Sequence, residues 1–178
     1  MVCWGEYTEG VLLMYEVGDY VVHPGQGVCK VQGVAEEPRA VYELLPIGQR
    51  HPMRISFPIA SESKLRPVLS HDEAVSIIDG YPEMPVEEFT SRSNALEEEH
   101  FKNEIRRGTC LDSVRIVKTF RVRIAETKAR NKKPPVAYER ILKEARQRSL
   151  EELGVALDMS PEDVQVLFEQ RVCEGEEN

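Results

Sequence analysis

Between residues 19 and 69 the apolar positions come in short runs, at 20–23, 28–34, 41–45, 53–59 and 65–69, separated by glycine, proline and charged turns. Runs of this length, rich in β-branched residues, predict five short strands. Tyr42 and Leu44 alternate with Glu43, and Met53, Ile55 and Phe57 alternate with Arg54 and Ser56. Successive strand side chains point to opposite faces, so one face turns toward a core and the other stays polar. The chain must reverse between Val22 and Val28. There Pro24 sets φ at about −65° and lacks a backbone donor, while Gly25 and Gly27 reach φ values closed to other residues. Such strands predict a small SH3/Tudor-like β-barrel that opens on the hairpin 17–31.

From Ser70 onward the apolar spacing lengthens to three and four. Ser70-His71-Asp72-Glu73 reads as a capping box and predicts a helix from His71 to Asp79, closed by Gly80 and Pro82. Asn94-Ala95-Leu96-Glu97 offers a second start, with Leu96, Phe101 and Ile105 as the buried stripe and Gly108 as the stop. A third helix is expected to begin near Thr109. Its stretch from Val114 to Ile124 also alternates like a strand, but Leu111, Val114, Val117, Phe120 and Ile124 keep helical spacing and no turn signal appears before Arg130. Pro134 and Pro135 open a fourth helix, whose face Ile141, Leu142, Ala145, Leu150 and Leu153 leads to a stop at Gly154. Ser160 caps a fifth with Val164, Leu167, Phe168 and Val172 inward. The chain is therefore read as α+β: a leader over 1–13, a barrel over 14–69, an all-helical domain of about five helices over 70–172 and an acidic tail over 173–178. Met14 is an alternative start to Met1.

The 178 residues, 41% of them hydrophobic, suit one domain or two small ones. No apolar run nears the roughly 20 residues that span a bilayer, and the start lacks a secretory pattern, so a cytoplasmic protein without membrane contact is expected. Cys3, Cys29, Cys110 and Cys173 form no CxxC pair and signal neither zinc nor a disulfide. The formal charge of −8 would oppose nucleic acid if it were evenly spread, yet it is not. From Arg115 to Arg148 twelve Lys/Arg stand against three Glu, a net +9, and from Ser149 to Asn178 nine acidic residues face only Arg171, a net −8. A phosphate loop, a nucleophile elbow and a metalloprotease motif are all missing, and His23, His51, His71 and His100 are scattered. Gly25-Gln26-Gly27 is too short to cradle phosphate, and Glu97 to Glu99 read as a solvated face. Neither an enzyme nor a cofactor or metal is expected.

Val17 to Val31, Arg54 to Ile59 and Leu65 to Ser70 resemble, in order and spacing, the amino-terminal domain of the CarD/CdnL family of bacterial RNA-polymerase-binding regulators. A similar domain occurs in transcription-repair coupling factors. Ile105-Arg-Arg-Gly108, the long helix from Ser113 and the start Ala137 to Arg146 resemble the family's helical domain, so the resemblance runs from about Tyr15 to Val172. It implies a barrel docked on the β subunit of RNA polymerase through the strand Met53 to Ile59, with Arg54 and Ser56 outward and Arg39 and Arg66 as charged neighbours. It also implies a helical domain held beside promoter DNA as part of a monomer, touching the backbone non-specifically and modulating open-complex stability. The best candidates for backbone contact are the basic residues Lys118, Arg121, Arg130, Lys132, Lys133 and Arg140, with Arg106 and Arg107 at the preceding helix end and Asn94 at the start of the second helix. The family places a tryptophan wedge just before its second helix, where this chain has Ser93 or Asn94; the only tryptophan, Trp4, lies in the leader. A polymerase-binding interaction module that never touches DNA is the alternative. A barrel that binds RNA itself is opposed by six Lys/Arg against eight Asp/Glu over residues 1–68.

Overall fold

The computed structural model describes residues 13–36 and 39–176, with side chains as far as Arg171. Trp4, Cys3 and nearly all of the leader, the side chains of Val172 and Cys173, and the end of the acidic tail lie outside the described residues. Five strands, β1 (Tyr20–His23), β2 (Gly27–Ala35), β3 (Val41–Pro46), β4 (Ile55–Pro58) and β5 (Arg66–Pro67), form one antiparallel sheet in the order β4-β3-β2-β1-β5. Among the described residues the sheet does not close on itself. Its last strand has two residues, one a proline with no N–H to offer, and a 3₁₀ turn over Ile59–Lys64 carries the chain between the two edges. Residues from both edges still share one core, in which Val21, Val31, Tyr42, Leu44, Phe57 and Leu65 are buried.

Local chemistry explains the hairpin. His23 pairs with Gly27 across the loop Pro24 to Gln26; Gly27 takes φ +88°, whereas Gly25 needs no positive φ. His23 Nδ1 accepts the N–H groups of Gly25 and Gln26 at 3.0 and 3.2 Å and so holds the turn closed. Burial, helped by the nearby Arg148 guanidinium, lowers the His23 pKa, which favours the neutral ring that an accepting Nδ1 requires. Met53 departs from the expected alternation: it precedes β4 and is 79% exposed.

The helices are α1 (His71–Asp79), α2 (Asn94–Arg107), α3 (Cys110–Ala129), α4 (Val136–Leu157) and α5 (Pro161–Glu176). Ser70 and Glu73 form the expected capping box on α1, and Thr109 with Asp112 forms another on α3. Thr109→Ala is expected to cost about 1 kcal/mol, read as a lower urea midpoint at unchanged slope. The cap of α2 is Ser93, whose hydroxyl accepts from the Leu96 N–H, rather than Asn94. Leu96 and Leu111 are exposed, and Glu97 occupies the buried position on the first turn of α2. The fourth helix does not stop at Gly154. It continues to Leu157 and ends on Asp158 in the left-handed region, at φ +53°. Gly154 is small for a different reason: a Cβ there would meet the Met159 carbonyl at 2.9 Å, where the chain doubles back into α5. The backbone of α5 stays helical through Glu176, so the tail begins as helix rather than frayed chain.

Two apolar clusters hold the helical half. One joins α1, the first turns of α3, the end of α4 and α5 through Ile78, Val114, Leu153, Val164 and Phe168. The other joins α2, α3 and the start of α4 through Phe101, Ile105, Phe120 and Ile141. Helix α4 takes part in both and also packs on β2, which makes it the strut between sheet and helices.

Candidate functional site

Among the described residues no strand pairs with the outer side of β4, the longer of the two sheet edges, and such an edge presents backbone N–H and C=O groups to a partner strand. Ser56 is exposed on it, opposite Glu43 of β3. Arg54, immediately before the strand, is exposed and donates from Nη1 to Glu43 Oε2 at 3.0 Å. Phe57 faces inward, its ring edge-on to His23. Arg39, also exposed, stands just before β3. The opposite edge is only Arg66 and Pro67.

Arg66 is not a neighbour of the β4 edge. It reaches from β5 into the helical half, where its guanidinium takes both carboxylate oxygens of Glu152, with Nη2 at 2.7 Å from Oε2. Burial works against the charge of Arg66, but the bidentate bond to Glu152 outweighs it and raises the pKa. Four residues earlier on α4, Arg148 Nη2 donates to the carbonyls of His23 and Pro24 at 2.9 and 3.0 Å. Sheet and helices therefore meet through Arg66–Glu152 on one side and Arg148 with the hairpin on the other. Sequence reading missed this joint, because its partners lie 86 and 125 residues apart. The one local signal was charged residues interleaved with Ser149 and Leu153 on the buried face of α4.

Many of the twelve basic residues between Arg115 and Arg148 are engaged inside the fold. Lys118 Nζ donates to the carbonyls of Tyr81 and Pro82 at 3.0 and 2.6 Å and lies over the Tyr81 ring. Arg123 pairs with the buried Glu97 at 2.6 Å and donates to the carbonyls of Glu87 and Phe89. Arg115 pairs with Glu87, and Arg146 bonds Gln165. Glu97 is thus no part of a solvated acidic face; burial raises its pKa, and the Arg123 charge opposes that rise. Glu98 pairs with Lys102 at 2.7 Å.

The remaining candidates form two groups. Arg140, 3.8 Å from Glu98, sets the first turn of α4 against the first turn of α2, where Asn94 is exposed. Arg130, Lys132 and Lys133 sit on the exposed connection that leads into α4, so this group crowns the end of the helical half away from the joint. Arg106 and Arg107 are exposed at the other end of α2, about 20 Å along a helix that rises 1.5 Å per residue. Arg121 lies partly buried beside Tyr81 and Arg146 in a small cavity. Among the described residues no His, Cys, Asp and Glu are grouped to hold a metal, and no helix is long and apolar enough to cross a membrane. Residues 15–69, the whole sheet, match the family model of the CarD-like/TRCF RID domain, a protein-interaction domain of RNA-polymerase-binding proteins rather than a catalytic one. No curated protein matches the chain.

Proposed function

Taking as premise that residues 15–69 form a domain of the CarD-like/TRCF RID type, we propose that the protein is a transcription regulator that docks on the β subunit of RNA polymerase. The observation that carries this reading is the outer edge of β4, which no described strand pairs with, within the matched segment. A partner strand adds to such an edge through main-chain hydrogen bonds, and neighbouring side chains, here Arg54, Ser56 and Arg39, select the partner. Arg66, bound to Glu152, serves the joint instead. The protein acts in the cytoplasm as a monomer and without a cofactor.

Docking would hold the helical half near promoter DNA, where a modest phosphate affinity suffices because tethering raises the effective concentration. Arg130, Lys132, Lys133 and Arg140, with Asn94 beside them, are the group proposed to meet the backbone and to modulate open-complex stability. Contacts of this kind position a protein without reading sequence. A second reading, a polymerase-binding module that leaves DNA alone, is favoured by the internal engagement of Arg115, Lys118, Arg123, Arg146 and Arg148.

Co-elution of the full chain with RNA polymerase tests the docking. It is expected to be lost in an Arg54→Glu, Ser56→Asp double variant that keeps its fold, and retention of binding would refute the edge as the docking site. The lifetime of an open promoter complex separates the two readings. With DNA contact, replacing Lys132 and Lys133 by alanine is expected to shorten the lifetime and to lower the slope of log affinity against log salt by about two. An unchanged lifetime with and without the protein favours the module.

A further inference from the structure

Between the sheet and the end of α4 lies a groove of ≈ 460 Å³, lined by Tyr20 and Ile47 from the sheet side and by Val155, Asp158 and Met159 from the helical side, with Glu151 among its walls. Glu151 is 8% exposed. Its Oε1, on the side of Gly48, accepts from Gln147 Nε2 at 2.9 Å, while Oε2 lies on the side of Gly27 and Arg148. Arg148 donates from Nη2 to the hairpin carbonyls and acts on Glu151 through space. Burial raises the Glu151 pKa, and Gln147 and Arg148 oppose the rise.

The backbone is arranged around this carboxylate. Gly48 adopts φ +74°, which favours glycine, and a Cβ on it would lie 1.9 Å from Glu151 Oε1 and push that side chain aside. The other walls are mostly apolar, and Asp158 adds a second negative charge where the groove meets solvent. Apolar walls leading to a carboxylate fit a side chain with an aliphatic stem and a cationic head. Phosphate would meet two carboxylates here, which excludes nucleic acid as the occupant. Lys30 already stands over the Tyr20 ring at 5.5 Å, so a ligand with several cations would bring like charges together.

We propose that this groove binds a single arginine or lysine side chain presented by a protein partner, with Glu151 as the anchoring carboxylate. Because the walls come from both halves, the bound side chain would bridge sheet and helices. The site stands independently of the β4 edge and of polymerase, and its test needs neither.

The test is an amide NMR titration of the full-length protein with N-acetyl-arginine amide, with N-acetyl-norleucine amide as the neutral counterpart and spermidine as the free polycation. Capped arginine is expected to give saturable shifts at Gly48, Val155 and Asp158, with the neutral compound at least about tenfold weaker, as the loss of a charged hydrogen bond implies. Glu151→Gln is expected to weaken capped arginine by about tenfold with the fold intact, and Asp158→Asn by less. Equal binding of the neutral compound, no saturable shift at the groove, or tighter binding of spermidine than of capped arginine overturns the proposal. Should Glu151→Gln fail to fold, the cation-against-neutral comparison on the unaltered chain decides.

Discussion

Arg123→Met is expected to destabilise the protein by about 3–5 kcal/mol, because it strands the carboxylate of Glu97 in the helical core without its counter-charge. Glu97 is 2% exposed, and the Arg123 Nη1 that pairs with it stands 2.6 Å away. The same guanidinium lies over the rings of Phe101 and Phe120, at 5.6 and 5.2 Å, and ties down the segment before α2 through the carbonyls of Glu87 and Phe89. Urea denaturation at pH 7 measures the loss. The pH dependence carries a definite sign. Burial already raises the folded pKa of Glu97, and removing Arg123 takes away the charge that opposes this rise. A carboxyl group with a raised folded pKa favours the folded state most when protonated and loses that advantage as pH rises through the folded value. The deficit of the variant should therefore shrink on going from pH 7 toward pH 5. Adding Glu97→Gln should recover part of it at pH 7 and little at pH 5. A deficit independent of pH would mean that packing, not charge, is what Arg123 supplies.

Arg66→Leu is the second change with a large expected effect, again about 3–5 kcal/mol, because Glu152 has only 2% of its side chain exposed and loses both guanidinium bonds at once. The double variant Arg66→Leu, Glu152→Leu should recover most of the loss, since two apolar groups of similar size carry no desolvation cost. This cycle also separates joint from docking surface. Arg54→Glu with Ser56→Asp is expected to remove polymerase binding at a stability cost of no more than about 1 kcal/mol, since it sets exposed like charges beside Glu43, whereas Arg66→Leu lowers the unfolding midpoint far more, whether or not polymerase is present. If Arg66→Leu left stability unchanged, Arg66–Glu152 would not be the tie between the halves.

What could be read in advance was local. The capping boxes at Ser70–Glu73 and Thr109–Asp112 each close within four residues, so α1 and the start of α3 were legible from their own sequence. The strands were legible as well, because alternation over Tyr42 to Leu44 is a property of the strand itself. Errors came where a neighbour distant in sequence decided. Leu96 and Glu97 exchange their expected places because Arg123, 26 residues later, meets the first turn of α2 on its inner side. Helix α4 runs through Gly154 because the chain returning at Met159 passes close to it, a contact that local spacing does not encode. Of the candidate contacts, Arg54 and Ser56 lie at the exposed edge as their alternation suggested. Lys118 and Arg66 are drawn inward by carbonyls and a carboxylate that sequence distance had hidden.

By itself, the order of apolar runs determined short strands followed by helices, and the segment around Pro24 to Gly27 determined the first hairpin, since both depend on backbone stereochemistry and side-chain period. Only the tertiary structure decided that the sheet stays open, with β4 as its accessible edge, because closure depends on what β5 can offer across the gap. It alone decided which charges face solvent. Burial turns Arg66, Arg148 and Glu152 into a joint between the two halves, and an ion pair gains its strength from the water it excludes, a quantity that no stretch of sequence contains.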